Sequence, residues 1–155
     1  MTPLEAEIVH KKLAVIRENL KALEPIHLMN EDEYLQDLYR RKATERLLQE
    51  LIEAAIDINT HSIVESGFAA PDDYYQSFLK AGEIGVIPPG LAAKLAPSAG
   101  LRNRLVHEYE HINHAVILAA VGEALELYPQ YIRAISNFLV RGCNKQHPAI
   151  PNSLS

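Results

Sequence analysis

The chain has 155 residues, 48% of them hydrophobic and 23% charged, with a formal net charge of −5 and a single cysteine. That length supports one domain with a real core, and so ordinary a charged fraction excludes a largely disordered chain. The acidic balance excludes a protein that coats nucleic acid through bulk charge, and the lone Cys143 excludes an internal disulfide framework.

Helical signals follow one another from the N-terminus. Thr2-Pro3-Leu4-Glu5 combines a capping hydroxyl, a proline suited to the first helical position and a capping-box glutamate. Ile8, Leu13, Ile16, Leu20 and Leu23 then form a helical stripe, and Pro25 predicts its end. Asn30 with Glu33 restarts the pattern. The run from Glu31 to Glu65 holds no breaker and reads as one long helix with a possible bend, stopped at Gly67. Tyr34 and Tyr39 read as packing residues. Asp57 and His61 stand four apart, on one helical face, either as an exposed pair or as a polar shell for a site.

Pro71-Asp72-Asp73 opens a further helix through Tyr74, Tyr75, Phe78 and Leu79 to Gly82. A turn follows over Gly85 to Gly90, then a short helix from Leu91 to Leu95, interrupted at Pro97. Gly100 frees the backbone just before Arg102. From Asn113 onward Val116, Ile117, Val121, Leu125, Ile132, Ile135 and Phe138 define a last apolar helix, kinked by Pro129 and closed by Gly142. Cys143 to Ser155 read as a tail. No strand pattern, internal repeat, dinucleotide fingerprint or phosphate loop is present. The chain is therefore expected to be an all-α single domain of about five helices over residues 1–142, with a 143–155 tail.

The chemistry concentrates in Gly100-Leu101-Arg102-Asn103-Arg104-Leu105-Val106-His107-Glu108-Tyr109. Arg102 is a permanent cation with planar donors, His107 brings a ring that titrates near neutrality, and Tyr109 adds a phenol. Together they suit the handling of phosphate esters. Five residues turn an ideal helix by roughly 500°, which leaves Arg102 and His107 about 140° apart. Convergence therefore requires the reach of the arginine, a bend after Gly100, or two chains meeting. Arg40-Arg41-Lys42 with Arg46, and Arg102 with Arg104, are the basic clusters through which an acidic body can still hold a positive cleft.

Arg102-x4-His107-x-Tyr109 resembles the signature of the HEPN superfamily, and most closely its HepT-like branch of toxins encoded beside a small nucleotidyltransferase antitoxin. The resemblance runs from Glu45 to Ile117 and takes in Ala54 to Ile63 and Pro71 to Phe78. It implies a helical bundle that dimerises through the motif-bearing helices and brings two Arg-His pairs to one cleft. It implies metal-independent endoribonuclease action without a cofactor. In that reading the ribose 2′-oxygen attacks the adjacent phosphorus, His107 serves as general acid or base, and Arg102 holds the phosphate. Asn103 would orient the RNA or the histidine, and Asp57 and His61 would support the site. It further implies that Tyr109 accepts AMP from the antitoxin, placing bulk and negative charge in an anion-binding cleft. The partners expected are RNA, the nucleotidyltransferase antitoxin and a second copy of the chain. With no apolar run of spanning length and no basic-then-apolar leader, a cytoplasmic protein without a membrane partner is expected.

Two other readings use the same residues. His107-Glu108-Tyr109-Glu110-His111 matches H-E-x-x-H, the zinc-peptidase pattern in which two histidines share one helical face, with Glu123 or Glu126 as a third ligand. His111 and His114 otherwise read as helix-start polar residues. A non-catalytic HEPN partner or nucleotide-binding module would carry a degraded motif, whereas Arg102, His107 and Tyr109 are all present. Cys143 lacks a basic neighbour and reads as incidental rather than nucleophilic.

Overall fold

The computed structural model describes residues 2–146. Seven α-helices follow in order: α1 (Pro3–His27), α2 (Glu31–Gln36), α3 (Leu38–Glu65), α4 (Tyr74–Glu83), α5 (Pro89–Leu95), α6 (Ser98–His107) and α7 (His114–Gln146), with a 3-10 turn at Tyr109–His111 between the last two. No strand occurs among the described residues, so the all-α expectation holds. The count exceeds the expected five because α2 and α5 are short, separate helices.

The helix starts follow local chemistry. The Thr2 side chain accepts from the Glu5 backbone N–H while Glu5 Oε2 accepts from the Thr2 N–H at 2.6 Å, a complete capping box. The same Thr2 donation holds the Glu5 carboxyl below its ordinary range. Asp73 caps α4 by accepting from Gln76 N at 2.7 Å, and Asn113 opens α7 by accepting from Ala115 N at 2.9 Å. Gly67 (φ 92°) and Gly85 (φ 84°) occupy the left-handed position after α3 and α4. Phe68 N–H reaches back to the Ile63 carbonyl and Val86 N–H to that of Ala81, so both helices close with the same paired-bond stop.

Four boundaries differ from the sequence reading. The expected long helix breaks at Asp37, whose extended backbone (φ −108°, ψ 96°) ends α2 while its carboxylate accepts from Arg40 N at 3.1 Å to start α3. Pro25 does not end α1; it lies in the last turn, forgoes one bond to the preceding turn, and the helix continues two more residues to His27. Helix α4 passes Gly82 and ends at Glu83. Helix α7 runs through Gly142 to Gln146, so the first residues of the expected tail are helical; residues 147–155 lie outside the described residues.

α1 packs on α3 and α7, and α3 also carries α4 and α6 on its other sides. Leu13, Ile16 and Leu23 of α1, Leu48, Leu51, Ile52 and Ile58 of α3, and Val121 and Ile135 of α7 are almost fully buried. Each such side chain contributes roughly 1.5–3 kcal/mol. Tyr34 is fully buried, its ring edge-on to His114 at 5.8 Å, and burial pushes its phenol up to about 12. Tyr39, expected to pack, is instead 87% exposed. Gly82 lets α4 meet α5, since a Cβ there would sit 2.6 Å from Ala92 Cβ.

A buried hydrogen-bonded chain ties α7, α3 and α4 together. Tyr131 Oη lies 2.6 Å from Asn59 Oδ1 and 3.0 Å from the Ala55 carbonyl. Asn59 Nδ2 donates to Ser77 Oγ at 3.5 Å, and Ser77 Oγ donates to the Tyr74 carbonyl at 2.7 Å. Removing the Tyr131 hydroxyl leaves a buried amide oxygen without its donor. Tyr131→Phe is expected to lower unfolding free energy by about 1–3 kcal/mol in urea titration, with an unchanged slope.

Candidate active site

The motif run occupies α6, a single helix from Ser98 to His107 that starts straight after Pro97. Gly100 lies in its first turn with an ordinary helical φ, so no bend follows it. Arg102 sits mid-helix and His107 is its last residue. The backbone leaves the helix at Glu108 (φ −124°, ψ 27°).

Arg102 is directed inward. Its Nε donates to Glu53 Oε1 of α3 at 3.1 Å, in an ion pair whose side chains are only 18% and 34% exposed. Gln49 Nε2 donates to the same oxygen at 3.0 Å and fixes the carboxylate. Arg102 Nη1 donates to Asn103 Oδ1 at 3.3 Å, and the guanidinium lies over the Tyr74 ring, 5.0 Å from its centre. Two of the five guanidinium N–H donors are engaged by these bonds; the others remain to hold an anion. Tyr74 itself is 42% exposed, so the cation and its aromatic platform border solvent.

His107 is exposed, and its side chain makes no hydrogen bond among the described residues. Tyr109 opens the 3-10 turn. Arg104 lines two cavities, of about 210 and 90 Å³, that lie along α6 and α7.

Asp57 and His61 are turned elsewhere. Asp57 pairs with Lys12 of α1 at 2.9 Å, and His61 gathers with Glu5 and Glu65. Each step of four residues along α3 rotates about 40° from the Glu53 face, which carries these two side chains to α1 rather than to the motif expected to face them. The zinc-peptidase arrangement also fails. With the helix broken at Glu108, His107 ends α6 while His111 belongs to the 3-10 turn, so the two do not share a helical face. Sequence reasoning missed Glu53, Gln49 and Tyr74. Only the Asp73 cap hinted that Tyr74 begins a helix, and nothing marked the partner of Arg102 forty-nine residues away.

The family model described as Ribonuclease HepT-like matches residues 16–135. The chain is 37% identical over 140 residues to the tRNA nuclease HepT of Aphanizomenon flos-aquae, across 90% of this chain and 95% of that protein. It is 27% identical over 129 residues to the mRNA nuclease HepT of Shewanella oneidensis, across 83% and 96% of the two. Among solved structures it is similar to the tri-AMPylated Shewanella oneidensis HEPN toxin in complex with MNT antitoxin, with a TM-score of 0.76, 26% identity, and 88% and 99% of the chains covered. A toxin–antitoxin complex with AMP-PNP matches with a TM-score of 0.77 and 26% identity, over 84% and 98% of the chains. Fold and motif together define a HEPN helical bundle. Within that class the chain belongs to the HepT-like ribonuclease family.

Glu53→Ala takes away the acceptor that aims Arg102, whereas Glu53→Gln keeps a carbonyl oxygen in its place. RNA cleavage is expected to fall roughly 10- to 100-fold in the alanine variant and less in the glutamine variant, with thermal melting checking that both retain the fold.

Proposed function

We propose that the protein is the toxin of a toxin–antitoxin pair, an endoribonuclease whose active cleft forms where two copies bring their α6 helices together. The observation that carries this reading is the geometry of α6. Arg102 and His107 point about 140° apart on one unbroken helix. With Arg102 held to α3 by Glu53 and no bend at Gly100, the two groups of one chain do not simply converge. A second α6 related by a two-fold axis offers the histidine of one chain to the arginine of the other.

In that cleft the free N–H groups of Arg102 hold the scissile phosphate and offset charge building on its oxygens. His107, exposed at the helix end, takes the proton of the ribose 2′-hydroxyl or returns one to the departing 5′-oxygen. Asn103 steadies the guanidinium from its own helix. The reaction needs no metal ion and leaves a 2′,3′-cyclic phosphate. His107→Ala and Arg102→Ala are each expected to lose at least 10²-fold in cleavage rate. The assay offers purified tRNA and mRNA separately, because the two nuclease relatives differ in the RNA their names give. Wild-type rates in either variant, or products ending in a linear 3′-phosphate from the outset, reject the mechanism. Sedimentation of the active species as a monomer rejects the shared cleft.

In this reading neutralisation acts through Tyr109, two residues past His107 in the sequence, at the start of the 3-10 turn after α6. AMP on its phenol, transferred by a nucleotidyltransferase antitoxin, adds bulk and anionic phosphate beside a phosphate-binding arginine and repels RNA. Incubation with the nucleotidyltransferase and ATP is expected to add AMP mass to the Tyr109 peptide and to abolish cleavage. Tyr109→Phe should stay unmodified, and modification at another residue refutes the assignment.

A further inference from the structure

Glu5 in the first turn of α1 meets His61 and Glu65 in the last two turns of α3, with one ligand atom from each within 4.8 Å of the others. His61 and Glu65 are four residues apart, so they project side by side from one helical face, and Glu5 closes the group from the neighbouring helix. Two features distinguish the cluster from a solvated acidic face. His61 Nε2 is inaccessible to solvent and has no hydrogen-bond partner among the described residues. The two carboxylates approach each other with no lysine or arginine paired to either among the described residues, although the surface carries seven such pairs elsewhere. Glu5 Oε2 accepts from the Thr2 N–H, which orients that carboxylate toward the group.

From this geometry we infer that Glu5, His61 and Glu65 form a binding site for a divalent first-row transition cation, Zn²⁺ by preference, that clamps the start of α1 to the end of α3. One imidazole and two carboxylates are the borderline donor set that zinc accepts, with water completing four-coordination. Zinc–ligand bonds of about 2.0–2.1 Å place tetrahedral ligand atoms about 3.4 Å apart. On binding, the three atoms draw in by at most about 1.4 Å from their present separations. The cation neutralises the facing carboxylates and engages the imidazole beside them. The site is separate from the motif: His61 lies eight residues beyond Glu53, about 12 Å along α3, and serves the fold rather than cleavage.

Titration calorimetry of the full chain with Zn²⁺ alone, and with Mg²⁺ for comparison, tests the inference. One Zn²⁺ per chain with micromolar or tighter affinity is expected, with no comparable Mg²⁺ binding and a rise in melting temperature on adding zinc. His61→Gln and Glu65→Gln are each expected to weaken Zn²⁺ at least 10-fold and to suppress the thermal shift. Glu65 is exposed, so its variant retains the fold independently of any effect at His61. His111→Ala should bind zinc as wild type does. Absence of binding below millimolar Zn²⁺, unchanged affinity in Glu65→Gln and His61→Gln, or loss of binding in His111→Ala overturns the site.

Discussion

The arrangement rests on the amide of Asn59, fully buried in the middle of α3. A buried amide with an unmet donor or acceptor is costly, so the fold has to bring partners to it. It does so from two directions, with the Tyr131 hydroxyl from α7 and the Ser77 hydroxyl from α4. Ser77 in turn donates to the Tyr74 carbonyl, which fixes the first turn of α4 against α3. Tyr74 is the residue whose ring underlies Arg102. A core polar chain thus sets the place of an aromatic surface, and that surface sets the plane of the Arg102 guanidinium.

Glu53 completes the constraint from the other side. It lies on α3 between the buried apolar rows and solvent, braced by Gln49, and holds Nε of Arg102. A guanidinium with its Nε fixed and one face on a ring keeps its remaining donors in a defined plane, the condition for recognising a phosphate through paired bonds. The overall acidic charge does not oppose such a role, because a few oriented donors hold an anion locally whatever the sign of the summed field.

Local chemistry made much of the fold legible in the sequence. The capping groups Thr2, Asn30 and Asp73 and the glycine at 67 act within a few residues, so the ends they define emerge from short patterns. The break at Asp37 escaped notice because an aspartate within an apolar-periodic run reads equally as an exposed helical residue. Pro25 misled in the opposite sense, since one lost bond to the preceding turn weakens a helix near its end without stopping it at the proline. The motif residues Arg102, His107 and Tyr109 were apparent from type and spacing, yet the partners of Arg102 were not. Glu53 and Tyr74 reach it only through tertiary packing, and no short-range pattern encodes that contact. Asp57 and His61 show the converse: their spacing was correctly read, but which neighbour their face meets depends on how α1 lies across α3.

The matched glycine stops at 67 and 85 also bear on the order in which the chain folds. Each closes through bonds between residues at most five apart, so forming it restricts little chain and need not await the core. The segment between them, with its own capped helix, reaches its limits on the sub-microsecond to microsecond scale of a single helix. What remains for the slower collapse is to dock that segment on α3, where Asn59 and Ser77 then fix the stacking surface for Arg102.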